Sequence, residues 1–193
     1  FDYTGRVELM PLGSFTSKGD YFGSDIKREE KPKLSLGLSY DYNDNASRAR
    51  GDTGSFLGQT RTLSTIFADM MFKYKGFSVM GEYAIKSSDE SPVFVDEEDG
   101  LEYNFITGSA LNIQVGYLLP SDWELAARFT SVTPELVAPE FVQAQDNVSM
   151  YTLGVSKYID GHNLKVQSDF SMIQEGGMEG SYLARLQFEL SFN

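Results

Sequence analysis

Tyr182-Leu183-Ala184-Arg185-Leu186-Gln187-Phe188-Glu189-Leu190-Ser191-Phe192 puts Tyr182, Ala184, Leu186, Phe188, Leu190 and Phe192 on one parity and Arg185, Gln187, Glu189 and Ser191 on the other. Successive side chains of a strand point to opposite faces, so the stretch reads as a strand with one apolar and one polar face. The same design recurs upstream. Leu164, Val166, Phe170 and Met172 alternate with Lys165, Gln167, Asp169 and Ser171, and Trp123, Leu125, Ala127 and Phe129 oppose Glu124, Ala126, Arg128 and Thr130. Leu111, Ile113, Val115 and Tyr117 oppose Asn112, Gln114 and Gly116, while Leu34, Leu36, Leu38, Tyr40 and Tyr42 oppose Ser35, Gly37, Ser39 and Asp41. Less regular blocks cover residues 2–11, 61–74, 77–87 and 148–158. Nine strands are predicted, with no convincing helical periodicity and no apolar run of about 18 residues that could span a bilayer as a helix.

The connections alternate in length. Lys75-Gly76, Pro120-Ser121-Asp122 and Asp160-Gly161-His162-Asn163 read as tight turns, whereas 44–59, 88–108, 133–147 and 174–180 are longer. Short turns on one rim and long loops on the other are the pattern of an outer-membrane β-barrel. The segment from Leu12 to Pro32 is the exception, falling on the short-turn side although it is long. Residues 1–193 read as a single domain, with no linker evident.

Composition narrows the function classes. The 193 residues carry a net charge of −12, which disfavours a nucleic-acid partner, because phosphate binding needs a positive surface. With 11 Tyr, 14 Phe and one Trp, disorder is not expected. The absence of Cys excludes disulfides, a thiol nucleophile and Cys-based zinc sites, and His162 as the only histidine removes His-paired metal sites. The chain starts Phe1-Asp2-Tyr3 without Met or a signal peptide, and so reads as processed or truncated.

In a soluble sandwich or lipocalin the apolar parity faces inward; in a membrane barrel it faces lipid. The alternation is the same in both, so other features must choose. The polar parity carries Arg6, Glu8, Asp41, Asp69, Lys73, Glu82, Lys86, Glu124, Arg128, Lys165, Asp169, Arg185 and Glu189, charges that a wide water-filled lumen accommodates. The apolar parity carries Tyr42, Tyr74, Phe77, Tyr117, Trp123, Tyr158 and Phe192 near predicted turns, as interfacial aromatic girdles require. These features favour a transmembrane antiparallel barrel, with Arg6, Glu8, Asp69, Lys73, Glu82, Lys86, Glu124, Arg128, Lys165, Asp169, Arg185 and Glu189 lining the pore and Leu36, Val115, Leu186, Phe188 and Phe192 facing lipid.

Several pieces, in order, are similar to the phosphate-selective porin O and P family. They are Gly5-Arg6-Val7-Glu8 with Pro11-Leu12-Gly13, Lys31-Pro32-Lys33-Leu34, Asp69 with Lys73-Tyr74-Lys75-Gly76-Phe77, and Glu82-Tyr83. Further along come Gln114-Val115-Gly116-Tyr117-Leu118-Leu119-Pro120, Glu124-Leu125-Ala126-Ala127-Arg128-Phe129, Gly154 to Tyr158, and Gly161-His162-Asn163-Leu164-Lys165. The chain resembles the carboxyl-terminal portion of such a barrel. What the resemblance implies is a Gram-negative outer-membrane porin of about sixteen strands, usually a homotrimer, passing small hydrophilic solutes and ions, anions such as phosphate among them. It also implies outer-membrane lipid and lipopolysaccharide as surroundings, and an N-terminal barrel segment that completes the wall.

Other motifs carry less. The four longer connections hold fourteen carboxylates against Arg48 and Arg50, which accounts for the whole net charge of −12. An acidic mouth can concentrate cations or divalent ions; a solvated loop surface is the plainer account. The lumen charges nearly balance, which predicts weak ion selectivity or cross-strand ion pairs that stiffen the wall. Asp41-Tyr42-Asn43-Asp44-Asn45 resembles a calcium-loop start, but Ala46 stands where the loop needs glycine. Arg50-Gly51-Asp52 is a triplet that arises by chance, His162 sits in a turn, and the Glu97-Glu98 pair has no implied cleft. No catalytic residue, metal site or cofactor is expected. The alternatives to a diffusion pore are a non-conducting barrel scaffold, a subunit of an outer-membrane secretion or uptake complex, or a soluble ligand-binding β-protein.

Overall fold

The computed structural model describes residues 1–96, 100, 102–135, 146–161 and 163–191. The expectations for Phe192, for His162 and for the Glu97-Glu98 pair fall outside the described residues. The described chain is mainly strand. In order it forms β1 (Asp2–Leu9), β2 (Lys33–Arg48), β3 (Phe56–Tyr74), β4 (Phe77–Ser88), β5 (Val93–Val95), β6 (Glu102–Asn104), β7 (Gly108–Leu118), β8 (Trp123–Pro134), β9 (Val148–Asp160), β10 (Leu164–Glu175) and β11 (Ser181–Leu190). A short 3-10 helix, Thr16–Tyr21, lies between β1 and β2.

Nine of these strands form one sheet in the order β1-β2-β3-β4-β7-β8-β9-β10-β11, and β5 and β6 make a separate hairpin. Every neighbouring pair is antiparallel. The nine blocks of alternation are these nine strands, joined in chain order. β1 and β11 are the edges, and because every step reverses direction they run the same way.

The alternation understates two strands. β2 and β3 continue through 44–48 and 56–60, so the connection expected at 44–59 shrinks to 49–55. Their outer ends pair irregularly, with register shifts between Asn43 and Ala46 and between Ala46 and Arg48, and Asn45 sits at φ 57°. Such bulges break the period-two pattern by which a strand is recognised. What holds these ends is a small apolar cluster of Ala46, Leu57, Leu63, Phe94 and Phe105, with Ala49 and Tyr103 packed against it. The β5–β6 hairpin, inside the connection expected at 88–108, contributes Phe94, and Arg61 lies over its ring at 5.4 Å.

Register assigns every strand side chain to a face, because directly paired antiparallel residues share one. Glu8, Gly37, Asp69, Glu82, Asn112, Thr130 and Met150 form one continuous cross-strand row. On the other face Leu36, Met70, Gly81, Ile113, Phe129 and Tyr151 form a second. The sheet thus has one charged face and one apolar face across its whole width.

Candidate functional site

All twelve residues expected to line a pore lie on the charged face, and the register brings them into a shared wall. Most are already engaged. Arg6 reaches across β2 to grip Asp69 with two hydrogen bonds of 2.6 and 2.9 Å and also meets Glu8 at 3.3 Å. Gly37 makes this possible, since a Cβ there would fall 2.6 Å from Asp69 Oδ1. Lys165 pairs with Glu189 at 2.9 Å, and Arg185 Nη2 lies 3.0 Å from Asp169. Glu82 accepts from Asn112 Nδ2 at 2.9 Å, whose Oδ1 accepts from the Thr130 hydroxyl at 3.1 Å. Arg128 differs: its Nε is buried without a hydrogen-bond partner, and among the described residues it joins no ion pair. It borders a recess of about 400 Å³ with Gln114, Thr152, Lys165, Gln167 and Arg185.

Lys73 and Glu124 are on this face but covered. The long segment between β1 and β2 folds across the charged face at the tight-turn end and buries Lys73 to 1% exposure. The Lys73 ammonium donates to the carbonyls of Gly19, Phe22 and Ser24 at 2.6, 2.5 and 2.7 Å. Arg28 ties the same segment to the β7–β8 connection, donating to the carbonyls of Leu118 at 2.7 Å and Leu119 at 2.6 Å and pairing with Asp122. Inside the segment Glu29 accepts from the Thr16 amide and hydroxyl, and Asp25 accepts from the amides of Glu29 and Gly76. The Tyr158 hydroxyl donates to Glu124 at 2.6 Å beside it. The sequence flags this segment by length alone; nothing in its residues announces the buried polar lock.

Gly76 is where the lock meets the β3–β4 turn. Lys75 and Gly76 sit at φ 49° and 87°, the pair of positive values a two-residue hairpin needs, and a Cβ on Gly76 would fall 2.7 Å from the Leu118 carbonyl oxygen. Gly76→Ala is expected to lower the urea unfolding free energy by about 1–2 kcal/mol. Gly5, with nothing within 4 Å of its would-be Cβ, provides the control. A Gly76→Ala midpoint equal to that of Gly5→Ala would show that the turn is not constrained.

The opposite face carries Leu36, Val115, Leu186 and Phe188, all exposed. Tyr74, Phe77, Tyr117 and Trp123 stand on it beside the tight turns, where Lys157 lies 5.7 Å over the Trp123 ring. Tyr158 is not among them; it shares the parity of Thr152, Gly154 and Ser156, pairs with Lys165 and so points to the charged face with Glu124. No protein-family model, curated protein or solved structure matches the chain.

Proposed function

We propose that this sheet is part of the wall of an outer-membrane β-barrel porin, with its apolar face in lipid and its charged face lining a water-filled channel for small hydrophilic solutes and ions. The observation that carries the reading is the exposed apolar face: Leu153, Leu186 and Phe188 are 68%, 65% and 71% exposed, and the rows between them are almost free of charge. A contiguous apolar surface of that extent in water is an aggregation surface; in hydrocarbon it is the solvent-matched side. Closed pairing is the only way for strands to satisfy their backbone in lipid, so the two edges β1 and β11 require partner strands.

In this reading the segment folded over Lys73 narrows the channel at the tight-turn end, and the paired charges leave weak net selectivity. Arg128 is then the cation that a passing ion meets unpaired. The test is planar-bilayer recording of the full protein reconstituted from detergent. Stepwise conductance is expected, and Arg128→Glu together with Arg185→Glu should move the reversal potential toward cations. No conductance across repeated insertions would remove the pore reading in favour of a scaffold; conductance with an unmoved reversal potential would place selectivity on other strands.

A further inference from the structure

Near the long-connection end the charged face is interrupted. Phe67, Ala84, Ala110 and Val132 are successive cross-strand partners on β3, β4, β7 and β8, so they form a wholly apolar row on the charged face. Phe67 is 45% exposed there. The neighbouring row toward the long connections is charged: Asp41, Thr65 and Lys86 pair directly across β2, β3 and β4. Above both rows the 49–55 connection folds inward, fixed by Lys86 Nζ donating to the Arg50 carbonyl at 2.7 Å and Asn43 Nδ2 donating to Asp52 at 2.9 Å. Together these elements enclose a recess of about 570 Å³ with an apolar floor and a rim of Asp2, Asp41, Asp52, Arg50 and Lys86.

The rim offers two kinds of partner at once. Thr4 donates to Asp41 Oδ1 at 2.6 Å and Asn43 Nδ2 to Asp52 Oδ1 at 2.9 Å, and the Asp2 carboxyl lies within hydrogen-bonding reach of both, so the three carboxyls form one acidic cluster that an ammonium would bridge. Arg50 contributes only its backbone to the connection, and its guanidinium joins no ion pair among the described residues. An apolar floor between a carboxylate group and a guanidinium matches a solute with an ammonium, a carboxylate and an apolar body. A neutral sugar has no charge to meet either sign of the rim, and an inorganic ion would use neither the floor nor one sign of the rim.

We propose that this recess binds a small zwitterion with an apolar side chain, the class of an apolar amino acid, the ammonium at Asp41 and Asp52, the carboxylate at Arg50 and the side chain on the Phe67 row. As a solute site it rests on the pore reading, since it specifies what pauses on the channel wall. The test is titration calorimetry of the detergent-solubilised full protein with L-phenylalanine, glycine, phenethylamine and phenylacetate. L-phenylalanine is expected to bind most tightly and the other three about tenfold more weakly, because each lacks one of the three contacts. Phe67→Ser should erase the advantage over glycine, and Asp52→Asn the advantage over phenylacetate. Equal heats for all four solutes, or an L-phenylalanine affinity unchanged in both variants, would overturn the proposal. Calorimetry reads binding whether or not the chain conducts. Binding without conductance therefore ends the pore reading alone, and conductance without solute preference ends this one alone.

Discussion

Arginine in place of Leu186 or Val115 is expected to lower the free energy of folding into lipid vesicles by about 2–4 kcal/mol, whereas arginine at the adjacent Gln187 or Gln114 should cost less than about 1 kcal/mol. Each pair differs by a single position along a strand, so secondary-structure preference and strand location are held constant and only the face changes. Leu186 and Val115 are on the apolar face; Gln187 and Gln114 share the charged face with Arg185 and Arg128. A charged guanidinium among acyl chains must be solvated by distorting the bilayer, while one on the other face meets water. Reversible urea titration in short-chain lipid vesicles measures the difference. Equal penalties at the two parities would mean that both faces meet the same medium, and the membrane assignment would fall.

The second large effect is expected at Lys73. Lys73→Met removes three charge-assisted hydrogen bonds to Gly19, Phe22 and Ser24 and leaves those carbonyls facing a methyl group in a site with 1% exposure. At about 1.5–3 kcal/mol for a hydrogen bond to a charged group, the docking of the segment should weaken by about 3 kcal/mol or more. Trypsin should then cut faster at Lys18, Lys27 or Arg28, whose side chains are exposed or half-buried but whose backbone the docked segment holds folded, and channel conductance should rise. Lys86→Met, which removes a single bond to the Arg50 carbonyl, should leave both readouts near their starting values. A Lys73→Met protein as resistant to trypsin as its parent would show that Arg28, Asp25 and Glu29 suffice to hold the segment.

These two sites differ in how far the sequence reveals them. Period-two alternation around Tyr182–Leu190 or Leu111–Tyr117 reports a face directly, because burial in one medium and exposure to another act on every second residue. Lys73 also alternates correctly, yet its neighbours cannot disclose that its ammonium meets carbonyls about fifty residues upstream, since those acceptors are backbone and belong to every residue type. The irregular blocks at 61–74 and 77–87 were legible as irregular: Phe67, Met71, Met80 and Ala84 are apolar residues on the charged face. Only cross-strand register turns that irregularity into a row with a place and neighbours. The bulged ends of β2 and β3 and the β5–β6 hairpin stayed hidden for a related reason, as their stability comes from Leu57, Leu63, Phe94 and Phe105 meeting across distant parts of the chain.

The parallel sense of β1 and β11 has a consequence for symmetry. In a bilayer every copy is inserted the same way up, so two copies can be related only by rotation about the membrane normal. Such a rotation keeps all strand directions, and would bring β11 of one copy beside β1 of the next in parallel. An antiparallel ring therefore cannot be made from repeats of this sheet alone, whatever their number. In the proposed barrel each copy of this sheet must be joined by an odd number of further strands, so that any arc repeated around the wall holds an even number.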